Sequence, residues 1–316
     1  MTREDIQNGL SKFPVLKRSK MIKEITAKVL LNSVRQPDDW FGLKYNMNLY
    51  RGCQHQCIYC DSRSACYQIE NFSDVLVKAN AIDLLRAELS RKRVKGTIGT
   101  GSMNDPYMPI EAQRKLTRQA LQVIAEFHYP VHIITKSDLV LRDLDILCEI
   151  NQVYAAVSIT ITTADDILGK KVEPGAPRVS ERFKAIQILA ENGIKTGVTL
   201  MPVLPFLEDN LDNIHQVVFR AHEAGAEYII PSFGMSLRDR QREYYYQKLD
   251  QHFPGLRGKY EQNFGYQYHV PADNTLNLER KFQDWCAEFG IATRMPRYSP
   301  QQGNQMQLLF KHHYLP

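Results

Sequence analysis

The segment Arg51-Gly-Cys-Gln-His-Gln-Cys-Ile-Tyr-Cys60 contains three closely spaced cysteines. Cys53, Cys57 and Cys60 lie at intervals of four and three residues, so a short loop can turn three thiolates toward one centre. A tetrahedral structural zinc takes four ligands, and a four-iron cluster normally takes four cysteines. Three thiolates therefore predict a metal cluster in which one iron keeps a position open to a substrate or cofactor.

The alternatives are a structural zinc site or plain buried thiols. Zinc sites usually combine two CxxC-type pairs, and the sequence has no second pair. The remaining cysteines, Cys66, Cys148 and Cys286, are isolated, which is typical of small buried hydrophobic residues. Cys66 is the one candidate for a fourth ligand, and its ligation would close the open position.

The spacing C-x3-C-x2-C, with Tyr59 before the last cysteine, resembles the cluster loop of the radical S-adenosylmethionine (SAM) superfamily. The resemblance implies a 4Fe-4S cluster on Cys53, Cys57 and Cys60, with SAM bound to the open iron through its amino and carboxylate groups. One electron would then cleave SAM to a 5′-deoxyadenosyl radical. The protein holds, orients and shields these cofactors.

The composition is that of an ordinary soluble protein, with 43% hydrophobic and 24% charged residues among 316. No run of about 18 apolar residues predicts a membrane span, and the polar start lacks the apolar stretch of a signal peptide. We therefore expect a cytoplasmic protein with no membrane partner. The net charge of +5 permits a polyanionic substrate without requiring one.

Beyond the cysteine loop, apolar segments of strand and helix periodicity alternate. Strands are predicted at 44–50, 97–101, 131–135, 154–160, 196–201 and 227–230, and helices at 81–91, 112–127, 139–150, 179–191 and 210–223. Strands apolar enough for burial on both faces favour a parallel sheet. Six units are fewer than the eight of a closed barrel. We predict an α/β fold, a partial (β/α)6 TIM-like barrel at 41–234, with an N-terminal extension at 1–40 and a C-terminal extension at 235–316.

Function in such barrels gathers at the carboxyl ends of the strands. The loop after the second strand reads Gly99-Thr-Gly-Ser-Met-Asn-Asp-Pro-Tyr-Met-Pro-Ile-Glu111. Gly99 and Gly101 would let the backbone approach a ligand closely. The polar side chains of Ser102, Asn104 and Asp105 would bond the SAM ammonium group. The alternative is an Asx turn that precedes a helix.

Two further strand ends carry candidate SAM contacts. Lys136 follows the third strand, where a lysine is costly unless it faces an anion such as the SAM carboxylate. In the fourth strand Ser158 alternates with apolar neighbours and so points to one face. Its hydroxyl would bond SAM or, equally, the backbone.

Several segments sharpen the resemblance to the spore photoproduct lyase-like group, also called DNA repair photolyase-like. They are NLYRGCQHQCIYCDSR, GTGSMNDPYMPIE, PVHIITKSDLVLRDLDIL, VSITITT, VEPGAP and MPVLPFLED, within about 40–234. The resemblance implies that Ser102, Lys136 and Ser158 contact SAM. Spore photoproduct lyase itself carries a hydrogen-donating cysteine in the loop after the second strand, and this sequence has none there. Tyr59 or Tyr107 would then be the hydrogen donor in a related reaction.

The C-terminal extension is rich in tyrosine and arginine. Tyr244-Tyr-Tyr246, Tyr260, Tyr266 and Tyr268 are interleaved with Arg238, Arg240 and Arg242. Such residues stack on bases and meet phosphates, or they pack an appended domain against the barrel. Near the end, Gln305-Met-Gln-Leu-Leu-Phe310 resembles the peptide by which bacterial proteins dock on the sliding clamp. The alternative is an apolar tail that covers the barrel.

These observations predict a lyase-like radical SAM enzyme that acts on a nucleic acid, with DNA repair favoured. An electron donor such as flavodoxin or ferredoxin would serve it. One alternative is a radical SAM enzyme for a small molecule or a protein side chain, because fold does not determine substrate. Another is a non-catalytic, metal-stabilised binding module on the sliding clamp.

Overall fold

The computed structural model describes residues 21–36, 40–69 and 71–300. Its strands are β1 (Ile22–Ile25), β2 (Leu31–Ser33), β3 (Tyr45–Met47), β4 (Tyr50–Arg51), β5 (Val75–Lys78), β6 (Ile98–Thr100), β7 (Val131–Thr135), β8 (Ala155–Thr160), β9 (Lys195–Val203), β10 (Tyr228–Ser236) and β11 (His269–Pro271). Its α-helices are α1 (Ala81–Leu89), α2 (Glu111–Arg114), α3 (Leu116–Glu126), α4 (Leu144–Ile150), α5 (Asp166–Val172), α6 (Val179–Glu191), α7 (Leu211–Glu223), α8 (Asp239–His252), α9 (Leu256–Phe264) and α10 (Thr275–Glu288). Short 3₁₀ helices span Asp61–Arg63, Ala65–Tyr67 and Asp138–Asp143.

The main sheet has the order β11-β10-β9-β8-β7-β6-β3-β2. Its six central strands, β3 and β6 to β10, run parallel to one another. The edge strands β2 and β11 pair antiparallel with β3 and β10 and do not pair with each other. The predicted α/β fold, a partial barrel of six parallel strands, is confirmed. Because helices follow these strands, β8 is buried along its whole length.

A second, three-stranded sheet of order β1-β5-β4 lies beside the cysteine loop. β5 runs parallel to β1 and antiparallel to β4. Strand β5 therefore pairs with the N-terminal segment and is not part of the barrel sheet. Since β4 ends at Arg51, this small sheet supports the chain at the point where it enters the cysteine loop.

Several predicted helices differ in detail from the observed ones. The helix predicted at 112–127 is divided into α2 and α3 at Lys115, whose φ is +51°. The side chain of Glu111 accepts hydrogen bonds from the backbone nitrogens of Leu116 and Thr117, and so it caps α3. The helix predicted at 139–150 begins as the 3₁₀ turn Asp138–Asp143. Helix α5 was not predicted.

The last barrel strand is longer than predicted, because β11 pairs with its end at Gly234–Ser236 and extends β10 past residue 230. In the C-terminal extension, Tyr245 and Tyr260 are buried and their hydroxyls lie 2.9 Å apart. Tyr266 and Tyr268 are instead 96% and 55% exposed. The aromatic residues thus divide between packing and the surface.

The hexapeptide that starts at Gln305 lies outside the described residues, so clamp docking stays a prediction. Within the described part of the chain, none of the helices has both the length and the apolar character needed to cross a membrane.

Candidate active site

The three closely spaced cysteines lie on the loop that follows β4. Gly52 enters the loop with φ +80°, and a Cβ there would lie 2.1 Å from the carbonyl oxygen of Asp74. Glycine is therefore required at this turn. Gln56 has φ +55°, and its side-chain amide donates to the carbonyl oxygen of Cys53. The loop turns so that Cys53, Cys57 and Cys60 line one cavity.

The turn after α5 holds the cysteine loop from the other side. The backbone nitrogen of Ile58 donates to the carbonyl oxygen of Val172 at 2.9 Å, and the backbone nitrogen of Gly175 donates to the carbonyl oxygen of His55 at 2.8 Å. A Cβ on Gly175 would lie 2.2 Å from the carbonyl oxygen of Gln54. The V-E-P-G segment therefore packs directly on the cysteine loop.

The cysteines suit a cluster better than a single metal ion. Among the described residues, no three His, Cys, Asp or Glu side chains are arranged to hold one ion. Yet three free thiols share one cavity wall. Burial raises the pKa of Cys53 to about 12, and burial also raises the pKa of Cys57 and of Cys60. Such thiols lose their protons on binding a metal. Thiolates spaced around a cavity fit a polynuclear iron–sulfur cluster, whereas zinc needs four convergent ligands.

Cys66 does not line this cavity. Its side chain is exposed, and its sulfur accepts a hydrogen bond from Arg238 at 3.1 Å. A fourth ligand from this cysteine has no support in the geometry.

A buried carboxylate, Asp105, faces the cysteine loop. Its Oδ2 lies 3.1 Å from Nε2 of His55, and its Oδ1 accepts from the Thr135 hydroxyl at 2.6 Å. The backbone nitrogen of Lys136 also donates to it, at 2.7 Å. Burial opposes ionisation, but the neighbouring His55 and these hydrogen bonds outweigh burial and lower the pKa of Asp105 to about 2. Asp105 is therefore negatively charged at neutral pH.

A second buried carboxylate, Glu173, lies behind the loop. It accepts hydrogen bonds from Arg182 and from the Tyr59 hydroxyl, and it lies 3.8 Å from Nζ of Lys136. Burial alone would raise the pKa of Glu173, but Arg182 and Lys136 outweigh burial and lower it. Glu173 thus connects the cysteine loop and α6 through hydrogen bonds from Tyr59 and Arg182, and it connects a barrel strand end through its ion pair with Lys136.

A cation, Arg63, follows the last cysteine closely. Its guanidinium stacks between Phe72 and Tyr244, at 4.5 and 3.5 Å from the ring centroids. It also donates to Oε1 of Gln56 at 2.8 Å. Two aromatic faces and the cysteine loop therefore hold one positive charge beside the thiols.

Most of the predicted site residues come together in this cavity. Its wall contains Cys53, Cys57, Cys60, Gly101, Ser102, Asn104, Asp105 and Lys136. Ser102 exchanges hydrogen bonds with the side-chain amide of Asn46, and Asn104 donates to the carbonyl oxygen of Tyr50.

The two loop glycines are explained by the packing of the chain itself. A Cβ on Gly99 would lie 2.3 Å from Leu43, and one on Gly101 would lie 2.0 Å from the carbonyl oxygen of Ile134. Gly99 does not line the cysteine cavity.

Three other predicted residues also lie outside the cavity wall. Ser158 is buried, with its hydroxyl 2.8 Å from Nε2 of His132 and 2.7 Å from the hydroxyl of Tyr228. Tyr107 is fully buried and donates to Asp143 at 3.1 Å. Tyr59 is closer to the site, but its hydroxyl is bonded to Glu173. The structure therefore gives neither tyrosine a free hydroxyl at the cavity.

Sequence reasoning did not single out His55, Thr160, Glu173 or Arg182 as site residues. His55 and Thr160 line the cavity, and the other two form the buried ion pair behind it. The available signals were the position of His55 between two cysteines and a charged residue in the V-E-P-G turn.

Comparison with known proteins identifies a family whose sequence profile includes the cysteine loop. The sequence profile of the radical SAM superfamily matches residues 47–218, which include all three cysteines of the loop. The chain belongs to the radical SAM superfamily. The resemblance drawn from the cysteine spacing is confirmed.

Several relatives and solved structures are similar to the chain. An uncharacterised protein of Methanocaldococcus jannaschii is 38% identical over 191 residues, which cover 60% of this chain and 70% of the relative. The radical SAM Nalpha-GlyT isomerase of Pseudomonas phage M6 is 23% identical over 248 residues, which cover 76% of this chain and 50% of the isomerase. A spore photoproduct lyase mutant with bound AdoMet and dinucleoside spore photoproduct superposes with a TM-score of 0.64 at 14% identity, covering 85% of this chain and 79% of that one. This last likeness shows the fold.

Proposed function

We propose that this radical SAM enzyme carries a 4Fe-4S cluster on Cys53, Cys57 and Cys60, and that it acts on a nucleic acid. The observation that supports the cofactor assignment is one cavity lined by three thiols, two of them buried, and by charged groups of both signs. When bound, the cluster supplies the electron that cleaves SAM reductively to a 5′-deoxyadenosyl radical. An electron donor such as flavodoxin or ferredoxin belongs to the same proposal.

The side chains around the cysteines would hold SAM by its charges. Asp105 stays ionised, so it offers a negative charge to an ammonium group. Burial alone would lower the pKa of Lys136, but Cys57 and Glu173 outweigh it and raise that pKa, so Lys136 offers a positive charge to a carboxylate. SAM carries both groups. Because Glu173 and Arg182 are buried, they fix the position of Lys136.

Two observations favour a nucleic acid as substrate. On the C-terminal extension, the guanidinium of Arg238 lies 5.0 Å from the ring of exposed Tyr268, and that of Arg242 lies 6.0 Å from exposed Tyr266. Exposed aromatic faces next to cations suit bases and phosphates. Arg238 also pairs with Asp61, one residue after the last cysteine, so this surface adjoins the cysteine loop. In addition, a structural neighbour was solved with a dinucleoside spore photoproduct.

The reaction proposed here differs from that of spore photoproduct lyase in its hydrogen donor. The loop from Gly99 to Glu111 contains no cysteine. Because this loop has no cysteine to donate hydrogen, we propose that the enzyme repairs another DNA lesion in a lyase-like radical reaction.

The test combines metal analysis with nucleic-acid binding. After anaerobic purification we expect iron and labile sulfide, with no stoichiometric zinc. Equilibrium titrations with single- and double-stranded DNA and RNA should show an affinity that falls steeply with salt. Zinc without sulfide would overturn the cofactor assignment. An iron–sulfur protein with no affinity for any nucleic acid at low salt would instead favour a small molecule or a protein side chain as substrate.

A further inference from the structure

A second cavity, of about 340 Å³, adjoins the cysteine cavity inside the barrel. The two share Ser102 and Ile134 in their walls. A ligand in the second cavity would therefore lie directly beside the cofactor site. Its volume is within the range of small-molecule sites, which start at about 300 Å³.

The walls of this cavity suit a flat, uncharged ligand. Trp40 and Phe41 supply aromatic faces, with ring centroids 6.4 Å apart, and Phe41 stacks on His132 at 4.9 Å. No Asp, Glu, Lys or Arg occurs among the described residues that line it. These described residues are aromatic, apolar or uncharged polar apart from His132, so they favour a flat ligand that carries no net charge at this position.

The polar groups in the wall match the edge of a base. The side-chain amide of Asn46 is held by Ser102, at 3.0 Å from its nitrogen and 3.3 Å from its oxygen, and an amide both donates and accepts. Thr100 is also in the wall, and its buried hydroxyl oxygen has no hydrogen-bond partner within the described residues. A base edge presents donors and acceptors side by side, so it can satisfy such groups.

The entrance is suited to the rest of a nucleotide. Trp40 is 43% exposed, and it also lines a neighbouring cavity of about 360 Å³ that contains Thr293 and exposed Arg294. A base stacked on the inner side of Trp40 would therefore leave its phosphates on the side of this arginine.

We infer that the cavity behind Trp40 receives a single nucleobase of the substrate, extruded from its strand, and places it next to the cofactor site. This inference rests on the proposed nucleic-acid substrate. It assigns Trp40 and Phe41 as the stacking residues and Asn46 as the group that reads the base edge.

Tryptophan fluorescence tests the inference without relying on catalysis. The chain contains two tryptophans, and the second, Trp285 of α10, packs on His215 of α7, outside this cavity. In full-length, cluster-loaded Trp285→Phe, the emission comes from Trp40 alone. The probes are an oligothymidylate single strand and an abasic strand of equal length and charge, with binding of each followed separately by anisotropy of a labelled end.

We expect the thymidylate strand to change the Trp40 emission and the abasic strand to leave it unchanged. Trp40→Leu should weaken binding of the thymidylate strand about tenfold, the loss expected for one stacked base, whereas Trp40→Phe should weaken it less. Binding of the abasic strand should change in neither variant. Circular dichroism and iron content confirm that the variants are folded and loaded.

Four results would overturn the inference. The first is that both strands bind by anisotropy and change the Trp40 emission equally, and the second is that the thymidylate strand binds without any change in that emission. The third is that SAM alone produces the change, which would assign the cavity to the cofactor. The fourth is that neither strand binds; if double-stranded DNA and RNA also show no affinity, the proposed nucleic-acid substrate fails with it.

Discussion

Replacement of Glu173 by glutamine should destabilise the protein strongly. Glu173 and Arg182 are each 1% exposed and form an ion pair, and Lys136 depends on the same carboxylate. Glutamine keeps the size of the side chain but removes the charge. Breaking a buried pair from one side costs about 3–5 kcal/mol, because the remaining charge stays buried without compensation. Two cations are left here, so we expect the upper part of that range.

The effect should depend on pH in a defined direction. The pKa of Glu173 is lowered in the folded protein by Arg182 and Lys136, against the opposing effect of burial. Its charge therefore stabilises the fold at pH values above the unfolded pKa of about 4.3, and this contribution is lost as the pH falls through the folded pKa. The difference between the native protein and Glu173→Gln should accordingly be largest near neutral pH and shrink in acid.

Urea unfolding of the cluster-free proteins, followed by circular dichroism, measures this difference. Glu126→Gln is the matched control, because Glu126 makes the same kind of pair with Arg86 but both side chains are about half exposed. That pair should contribute less than about 1 kcal/mol. If Glu173→Gln lost no more stability than Glu126→Gln, the buried pair would not anchor the cysteine loop.

Three further outcomes follow from the site. Burial raises the pKa of Glu208 to about 8, so the native protein should lose stability as the pH rises from about 4.3 to about 8. In urea unfolding, the stability of Glu208→Gln should lack this pH dependence, and an equal dependence in both proteins would contradict the prediction. Arg63→Met should shift the cluster midpoint potential to a more negative value in a redox titration followed by electron paramagnetic resonance, because a fixed cation beside the thiols favours the reduced cluster; an unchanged potential would refute this. Cys66→Ser should retain its full content of iron and sulfide because Cys66 is outside the cavity, whereas Cys57→Ala should lose both. Loss of iron from Cys66→Ser would make Cys66 a ligand.

The barrel could be predicted because apolar, strand-like segments alternate with stretches of helical periodicity. The parallel sheet needs little more than that pattern, since its central strands β7 and β8 are buried almost throughout. The break at Lys115 was not predictable in the same way. It depends on the Glu111 side chain folding back to cap α3, in a backbone conformation that lysine seldom adopts.

The sequence also could not predict which inward-facing side chains of the barrel reach the cavity. Alternation placed Ser158 on an inward face, but it could not show that Thr160, two residues further, lines the cavity while Ser158 bonds His132. Likewise, Gly101 was attributed to a ligand, although the carbonyl of Ile134 already excludes a side chain there. Such contacts join distant segments, so no local pattern encodes them.

We propose above that Cys53, Cys57 and Cys60 hold the cluster at which SAM is reductively cleaved. The most direct measurement is anaerobic: the cluster is reconstituted, dithionite and SAM are added, and 5′-deoxyadenosine is quantified with and without DNA. We predict that the native protein forms deoxyadenosine and that Cys57→Ala forms none. Equal amounts from both proteins, or none from a native protein with a full load of iron and sulfide in the presence of DNA, would show that these cysteines do not support SAM cleavage.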